Sequence, residues 1–234
     1  MNELAVTRAG AVATWTITRG HKRNALGLDL IRALSAACRD DAERGTTAVV
    51  LTAEPSNGVF CAGFDRDVLA SLAAAGATTE SAASPLHALF DELSRAPFSL
   101  VTAITGAALG GGVELALLGD VRIAARGARF TLPPARLGIV YPDVGLSRLA
   151  LALGRPLLGA MLATAAPITA ERLLACGALW SLSDAPVEDA TAIADAMATL
   201  PAAGRLGNRD ALREARACSC AGRAEDCPAG VVSG

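Results

Sequence analysis

The feature that most constrains this chain is a run of three glycines, residues 110–112, between an apolar segment and a helical one. Residues 100–104 have the continuous apolar character of a buried strand, and residues 112–118 have the pattern of a helix. Glycines permit a tight turn and leave backbone N–H groups uncovered by side chains. The pattern therefore predicts a strand, a turn with accessible amide donors, and a helix.

The rest of the chain alternates between strand and helix patterns. Alternating apolar residues predict a β-hairpin over residues 4–18. Residues 67–84, rich in Ala, Ser, Thr and Gly, are expected to form a mobile helix and loop. The other predicted strands are residues 48–52, 59–61, 121–124 and 130–132, and the other predicted helices are residues 28–44, 85–95, 146–153, 156–164, 170–176 and 188–199. This order implies an α/β core followed by a helical C-terminal part.

The composition excludes several classes of protein. Apolar residues make up 52% of the 234 residues and charged residues 19%, which excludes disorder as the overall state. A net charge of −2 and 3% aromatic residues argue against nucleic-acid binding. We find no targeting segment and no uninterrupted apolar span, so we expect a cytoplasmic protein with no membrane partner. We also expect no metal site, because the cysteines at positions 218, 220 and 227 lack partners at ligand spacing.

Glu114 is the first candidate for chemistry. It lies three residues after Gly111, about one helical turn along on the same side. A carboxylate there is placed to exchange a proton with a group whose oxygen accepts from the Gly111 N–H. The alternative is a structural glycine turn with a solvated glutamate.

A second turn supplies a second donor. Residues 59–65 form a short strand that ends in small residues, with a helix expected to begin near Asp65. The backbone N–H of Phe64 and that of Gly111 would then form an oxyanion hole from two strand-to-helix turns.

These motifs resemble the crotonase (enoyl-CoA hydratase/isomerase) family. The matching segments are FCAGFD at residues 60–65, GAALGGGVE at 106–114, HKRNAL at 21–26, DVRIA at 120–124, FTLPPARLG at 130–138 and AERLLACG at 170–177. The resemblance covers roughly residues 4–213. It implies a spiral of ββα units in residues 1–185 and a shortened helical oligomerisation region in residues 186–216. Residues 217–234 have little apolar periodicity and are dominated by Cys, Gly, Ala and Pro, so we expect a disordered or irregular tail.

The resemblance also implies the substrate and the assembly. The substrate would be an acyl-CoA thioester, with coenzyme A carried by the substrate and no separate cofactor. The chain would form a homotrimer, or a hexamer built from two trimers.

The resemblance implies a reaction that passes through an enolate intermediate. The thioester oxygen would lie between the Phe64 and Gly111 N–H groups. Glu114 matches the first of the two hydratase glutamates, whereas Pro134 occupies the place of the second. Proline has no acid or base, so the resemblance favours isomerisation of a C=C bond over hydration, with hydration as the alternative.

Asp143 is the second candidate carboxylate. It resembles the catalytic aspartate of family isomerases and of the aryl-CoA dehalogenase branch. In that branch a histidine at the place of His87 activates water, so covalent catalysis through Asp143 is an alternative. Asp143 is also a candidate N-cap for the helix expected from Leu146. Tyr141 either donates a hydrogen bond to the acyl group or packs in the core or in a lid. A further alternative is a degenerate member that binds acyl-CoA without turnover.

The resemblance places the nucleotide end of coenzyme A beside a basic turn. Lys22 and Arg23 precede the turn where family members hold the nucleotide end, and cationic side chains suit phosphate. The alternative is a solvated basic turn. The other substrate-binding positions that the resemblance implies are Ala25, Ala62, Asp65 and Gly110.

Overall fold

The computed structural model of the chain describes residues 3–76 and 78–221. The strands are β1 (Leu4–Ala9), β2 (Val12–Ile17), β3 (Ala48–Ala53), β4 (Val59–Cys61), β5 (Ser99–Ile104), β6 (Ala107–Leu109), β7 (Val121–Ala125), β8 (Arg129–Thr131), β9 (Ile168–Thr169) and β10 (Ser181–Ser183). The helices are α1 (Leu28–Glu43), α2 (Arg66–Ala74), α3 (Thr79–Arg95), α4 (Gly111–Leu117), α5 (Pro134–Leu137), α6 (Asp143–Leu153), α7 (Arg155–Thr164), α8 (Ala170–Ala175), α9 (Pro186–Ala198) and α10 (Ala202–Ala221). A short 3-10 helix covers Gly20–Lys22.

The main sheet has six strands in the order β1-β2-β3-β5-β7-β10. The hairpin of β1 and β2 is antiparallel, with Val6 opposite Trp15, and the other neighbouring strands run parallel. Every residue of β3 is buried. This explains its unbroken apolar sequence, because a central parallel strand is covered on both faces.

A smaller sheet has the order β4-β6-β8-β9. Its neighbours β4, β6 and β8 are parallel, and β9 is antiparallel to β8. The strand pairs β3–β4, β5–β6 and β7–β8 each place the first strand in the main sheet and the second in the smaller one, and a helix follows each pair. This repetition is a spiral of ββα units, so the predicted fold class is confirmed.

The larger apolar core lies between the main sheet and the helices α1 and α3. Trp15 of β2 is fully buried and meets the ring of Phe98 edge to face, with the ring centroids 5.7 Å apart. The two rings anchor the hairpin to the loop between α3 and β5, and such aromatic pairs stabilise a fold beyond the area they bury.

The opposite face of the main sheet is covered by α9. Ala190 and Ala194 of this helix are completely buried against Val50 and Val101. We expected the core to end at residue 185, but α9 continues it because its small residues allow close packing on the sheet. The compact unit accordingly extends to Ala198.

A buried carboxylate fastens the hairpin to α1. Asp41 accepts hydrogen bonds from Arg8 Nε at 2.7 Å, Trp15 Nε1 at 2.8 Å and Thr46 Oγ1 at 2.7 Å. Burial alone would raise the pKa of Asp41, but these three donors lower it below the ordinary value. Asp41 is therefore a structural ion held by a complete set of partners.

Some short elements differ from the sequence prediction. β6, α5 and β10 have three or four residues each and were not predicted. Helix α3 begins at Thr79, earlier than the expected residue 85, since the Thr78 hydroxyl accepts from the Ser81 N–H at 3.2 Å and caps the helix. The segment 67–84 forms most of α2 and the first turns of α3, and Ala77 within it lies outside the described residues.

A second unit begins at Thr199 and contains α10. This helix continues to Ala221, past residue 216 where we expected helical structure to end. The remainder of the predicted tail, residues 222–234, lies outside the described residues. Across residues 3–76 and 78–221, no helix combines the length and apolar character needed to cross a bilayer.

Candidate active site

Two turns meet where β4 and β6 end. These strands are parallel neighbours with Cys61 paired to Ala108, so the turns that follow lie at the same edge of the smaller sheet. Gly63, with φ of +86°, lies in the first turn, and a Cβ added there would be 2.4 Å from Leu109 O and 3.2 Å from Gly111 N. Only glycine permits this approach of the two backbones.

The N–H groups of Phe64 and Gly111 come together in this arrangement. A Cβ added to Gly111 would lie 3.6 Å from the Phe64 nitrogen. In the described parts of the chain, neither N–H donates to a protein acceptor. Two adjacent amide donors without protein partners suit a ligand oxygen that carries negative charge.

Glu114 projects from the first turn of α4 and is 2% exposed. The Tyr141 hydroxyl donates to Oε1 at 2.6 Å, and Arg148 Nη1 donates to Oε2 at 2.9 Å. Gly145 of α6 leaves room for the carboxylate, because a Cβ at that position would lie 3.1 Å from both oxygens. Both carboxylate oxygens are thus hydrogen-bonded and their orientation is fixed.

Tyr141 is a neutral donor in this pair. Burial raises the pKa of the phenol well above its usual value, and the neighbouring Glu114 carboxylate raises it further. The phenol therefore keeps its proton and donates it in the hydrogen bond to Glu114. This contact supports a place for Tyr141 in the site.

Arg148 joins three helices around Glu114. From α6 it reaches Glu114 on α4, and its Nη2 donates to Asp91 Oδ1 on α3 at 2.9 Å. Its guanidinium carbon lies 5.4 Å from the Phe90 ring centroid, and Nη1 lies 3.4 Å from His87 Nδ1. Arg148 and Asp91 were not among the site residues predicted from the sequence. The available signal was helical spacing, since Asp91 follows His87 by four residues.

Asp143 is not hydrogen-bonded to this cluster. It is the first residue of α6, is exposed, and forms no side-chain hydrogen bond or ion pair with the residues the structure describes. The N-cap position belongs to Pro142, so the capping alternative for Asp143 is wrong. Pro134 is buried at the start of α5, and His87 is buried on α3.

The basic turn is hydrogen-bonded to the segment that carries Phe64. Ala62 N–H donates to Arg23 O at 3.0 Å, and Leu26 N–H donates to Gly63 O at 2.7 Å. Lys22 forms an exposed ion pair with Asp67 at 2.6 Å. The predicted coenzyme A turn and the predicted oxyanion turn are therefore neighbours.

Asp65 and Ala25 are held by Arg19. Arg19 Nη1 donates to Asp65 Oδ2 at 2.7 Å and to Ala25 O at 2.9 Å. Burial alone would raise the pKa of Asp65, but hydrogen bonds from Arg19 and the Asp67 N–H lower it below the usual value. Asp65 thus has a structural role at the start of α2, and its predicted contact with substrate stays a prediction.

Gly110 is the N-cap residue of α4, with φ of +52°.

Comparison with known proteins gives the class of the chain. The family model for enoyl-CoA hydratase/isomerase matches residues 7–206, and the chain belongs to this family of enzymes. The chain is 33% identical over 174 residues to a probable enoyl-CoA hydratase, echA6, of Mycobacterium tuberculosis, covering 74% of this chain and 68% of that protein.

Two relatives from Escherichia coli carry more specific names. The 2,3-dehydroadipyl-CoA hydratase is 32% identical over 222 residues, which is 92% of this chain and 84% of that protein. The methylmalonyl-CoA decarboxylase is 30% identical over 174 residues, which is 74% of this chain and 66% of that protein.

Solved structures agree with the fold. An enoyl-CoA hydratase from Bacillus anthracis aligns with a TM-score of 0.80 at 27% identity, covering 90% of this chain and 82% of that one. A methylmalonyl-CoA decarboxylase in complex with 2-nitronate-propionyl-CoA aligns with a TM-score of 0.84 at 26% identity, covering 96% and 85%.

Proposed function

We propose that the chain converts an acyl-CoA thioester through an enolate held between the Phe64 and Gly111 N–H groups. The observation that carries this proposal is the close approach of the Gly63 and Gly111 turns, with both amides lacking protein acceptors among the described residues. Preorganised amide donors stabilise developing oxyanions strongly, and removal of one donor typically costs about 3 kcal/mol of barrier. Family membership supports the choice of a thioester as the electrophile.

The reaction we favour is isomerisation of a C=C bond. In a 3-enoyl thioester a base removes the Cα proton, the electron pair delocalises into the enolate, and a proton added at Cγ moves the double bond into conjugation. Glu114, in the first turn of the helix that begins at Gly111, would be the first proton carrier, and Asp143 would be the second. Pro134 lacks the acid and base of a second hydratase glutamate, which disfavours addition of water.

Coenzyme A would be carried by the substrate and lie along the turn at Lys22 and Arg23. The hydrogen bonds from this turn to the Phe64 segment support the placement, since they put a basic surface beside the thioester position. No separate cofactor is required for proton transfer. A homotrimer or a hexamer remains our expectation, and light scattering on the purified chain would test it.

Direct assays separate the two family reactions. Isomerisation of a 3-enoyl-CoA increases the absorbance of the conjugated thioester, whereas hydration of crotonyl-CoA decreases it. We expect turnover of the 3-enoyl substrate, a fall to a small residual rate in Glu114→Gln, and retention in the control Glu92→Gln, whose carboxylate pairs with Arg39. Efficient hydration of crotonyl-CoA would overturn the preference, and binding without turnover across the panel would indicate a degenerate member.

Decarboxylation is a second candidate reaction, favoured by the hydrogen bonds that Glu114 already accepts. Both oxygens of this carboxylate are engaged by Tyr141 and Arg148, which reduces its capacity to act as a base. Loss of CO2 from a malonyl-type thioester leaves the bonding electron pair as the same enolate without a base, and a proton donor then completes Cα. Release of CO2 from methylmalonyl-CoA, with no conversion of 3-enoyl-CoA, would establish this candidate over isomerisation.

A further inference from the structure

Arg148 is the only guanidinium that joins Glu114 to a second helix among the described contacts. Its side chain is 18% exposed and that of Glu114 is 2% exposed, so this ion pair has restricted access to water, whereas the Asp91 side chain is 47% exposed. Charge-assisted hydrogen bonds in such surroundings are stronger and more directional than surface pairs. The ion pair with Arg148 therefore constrains the orientation of the Glu114 carboxylate.

The geometry of the two arms explains why arginine is needed. Nη1 donates to Glu114 at 2.9 Å and Nη2 donates to Asp91 at 2.9 Å, so one planar group holds both carboxylates. A lysine ammonium is a point charge on a flexible chain and does not reproduce this fixed fork. The Phe90 ring beside the guanidinium carbon adds a contact that favours arginine.

We propose that Arg148 is a positioning residue, which sets the orientation of the Glu114 carboxylate toward the bound acyl group and is itself aimed by Asp91. This inference rests on the proposed function, in which Glu114 moves the proton. Arg148 acts through Glu114 and contributes nothing to the binding of coenzyme A. Tyr141 fixes the other carboxylate oxygen, so loss of Arg148 leaves Glu114 with one anchor and freedom to rotate.

The inference predicts a loss in kcat with little change in KM. In Arg148→Met, kcat should fall on the order of 10²-fold, the effect expected when a proton-transfer group is misplaced by about an ångström. KM should stay within about twofold, since Lys22 and Arg23 are untouched. Arg148→Lys should recover only part of the loss. Asp91→Asn, which keeps the Glu114 contact, should lower kcat less than Arg148→Met.

A double-mutant cycle tests whether Arg148 acts through Glu114. If it does, Arg148→Met in the Glu114→Gln background should cause no further loss, whereas independent roles would give additive losses. The matched control is Arg39→Met. It breaks the 3.0 Å ion pair of Arg39 on α1 with Glu92, which is the residue next to Asp91 on α3. This control should leave kcat unchanged.

Chemical rescue provides a second readout. Arg148→Gly removes the side chain, and added guanidinium ion should restore part of kcat if position and charge at this point are what matters. Thermal unfolding of each variant checks that the fold is retained. Additive losses in the cycle together with no rescue would overturn the inference.

Infrared spectroscopy separates this inference from the proposed function. The difference between the spectra of the wild type and Glu114→Gln identifies the carboxylate bands of Glu114, and these bands are then compared in Arg148→Met. A band shift in Arg148→Met with no turnover by the wild type on any thioester would uphold the contact and reject the proposed function. No band shift in Arg148→Met would reject the inference even if the wild type is active.

Discussion

Tyr141 Oη lies 2.6 Å from Glu114 Oε1, and this contact joins the loop before α6 to the first turn of α4. Since burial and the neighbouring carboxylate raise the pKa of the phenol, Tyr141 is the donor in this contact and Glu114 is the acceptor. The site is therefore built around a glutamate whose surroundings are fixed before any substrate binds. Such preorganisation is what an enolate-forming enzyme requires.

Tyr141→Phe removes the donor and leaves one oxygen of a buried carboxylate without its partner. We expect the free energy of unfolding to fall by about 1–3 kcal/mol, the usual result of removing a hydrogen bond from a buried charged group. Denaturant unfolding measures this, and turnover should fall in the same variant. Equal stability and equal kcat would show that the contact has no role.

The close approach of the two turns predicts that Gly63→Ala is disruptive. The new Cβ would meet Leu109 O at 2.4 Å at a φ of +86°, so backbone strain and steric overlap add. The strain alone costs about 1–2 kcal/mol, and overpacking adds about 1–3 kcal/mol.

Gly45→Ala isolates the strain term for comparison with Gly63→Ala. Gly45 has φ of +71° and nothing within 4 Å of an added Cβ. This variant should lose only the strain energy in denaturant unfolding and should keep full activity. If Gly63→Ala were no less stable than Gly45→Ala, the backbone approach would be wrong.

Asp41 gives a prediction for stability against pH. Its pKa is lowered in the folded chain, so its contribution to stability is fully present above the unfolded value of about 3.9 and is lost as pH falls through the folded value. Asp41→Asn should cost about 2–4 kcal/mol at neutral pH, because Arg8 and Trp15 lose a charged partner.

The difference in unfolding free energy between the wild type and Asp41→Asn should therefore shrink as the solution is acidified below about pH 4. Urea unfolding at a series of pH values would record it. A difference that stays constant down to pH 2 would contradict a lowered pKa for Asp41.

Lys22 and Arg23 are predicted to act on binding alone. The double variant Lys22→Ala with Arg23→Ala should raise KM for an acyl-CoA and leave kcat nearly unchanged, with the difference reduced at high salt because exposed charges are screened. Calorimetric titration of coenzyme A at two salt concentrations checks this. Removal of the exposed pair of Arg32 with Asp29 serves as the control and should change neither constant.

The sequence predicted the parts of the site that depend on local patterns. Glycines at turns, the apolar strands before them and the helix carrying Glu114 all leave short-range signals, and these placed Glu114 beside the turns. β6 was missed because three residues within a glycine-rich turn become a strand only through their partners in β4 and β8. Long-range partners decide such short elements.

The partners of Glu114 could not be predicted for the same reason. Arg148 lies 34 residues from Glu114 and 57 from Asp91 along the chain, and nothing in the spacing joins them. The ion pairs of Asp65 with Arg19 and of Asp41 with Arg8 also arise only when distant elements pack. Sequence patterns identified the candidate acid and base but could not show which carboxylates are already paired.

Isotope-edited infrared spectroscopy of an acyl-CoA labelled at the thioester carbonyl tests the central claim most directly. Two amide donors on one oxygen weaken the C=O bond, so the stretching frequency should fall when the labelled thioester binds the wild type. The shift should persist in Glu114→Gln, because the donors belong to the backbone, and should diminish in Gly63→Ala. A saturated complex whose carbonyl frequency equals that of the thioester in water or above it would contradict the account.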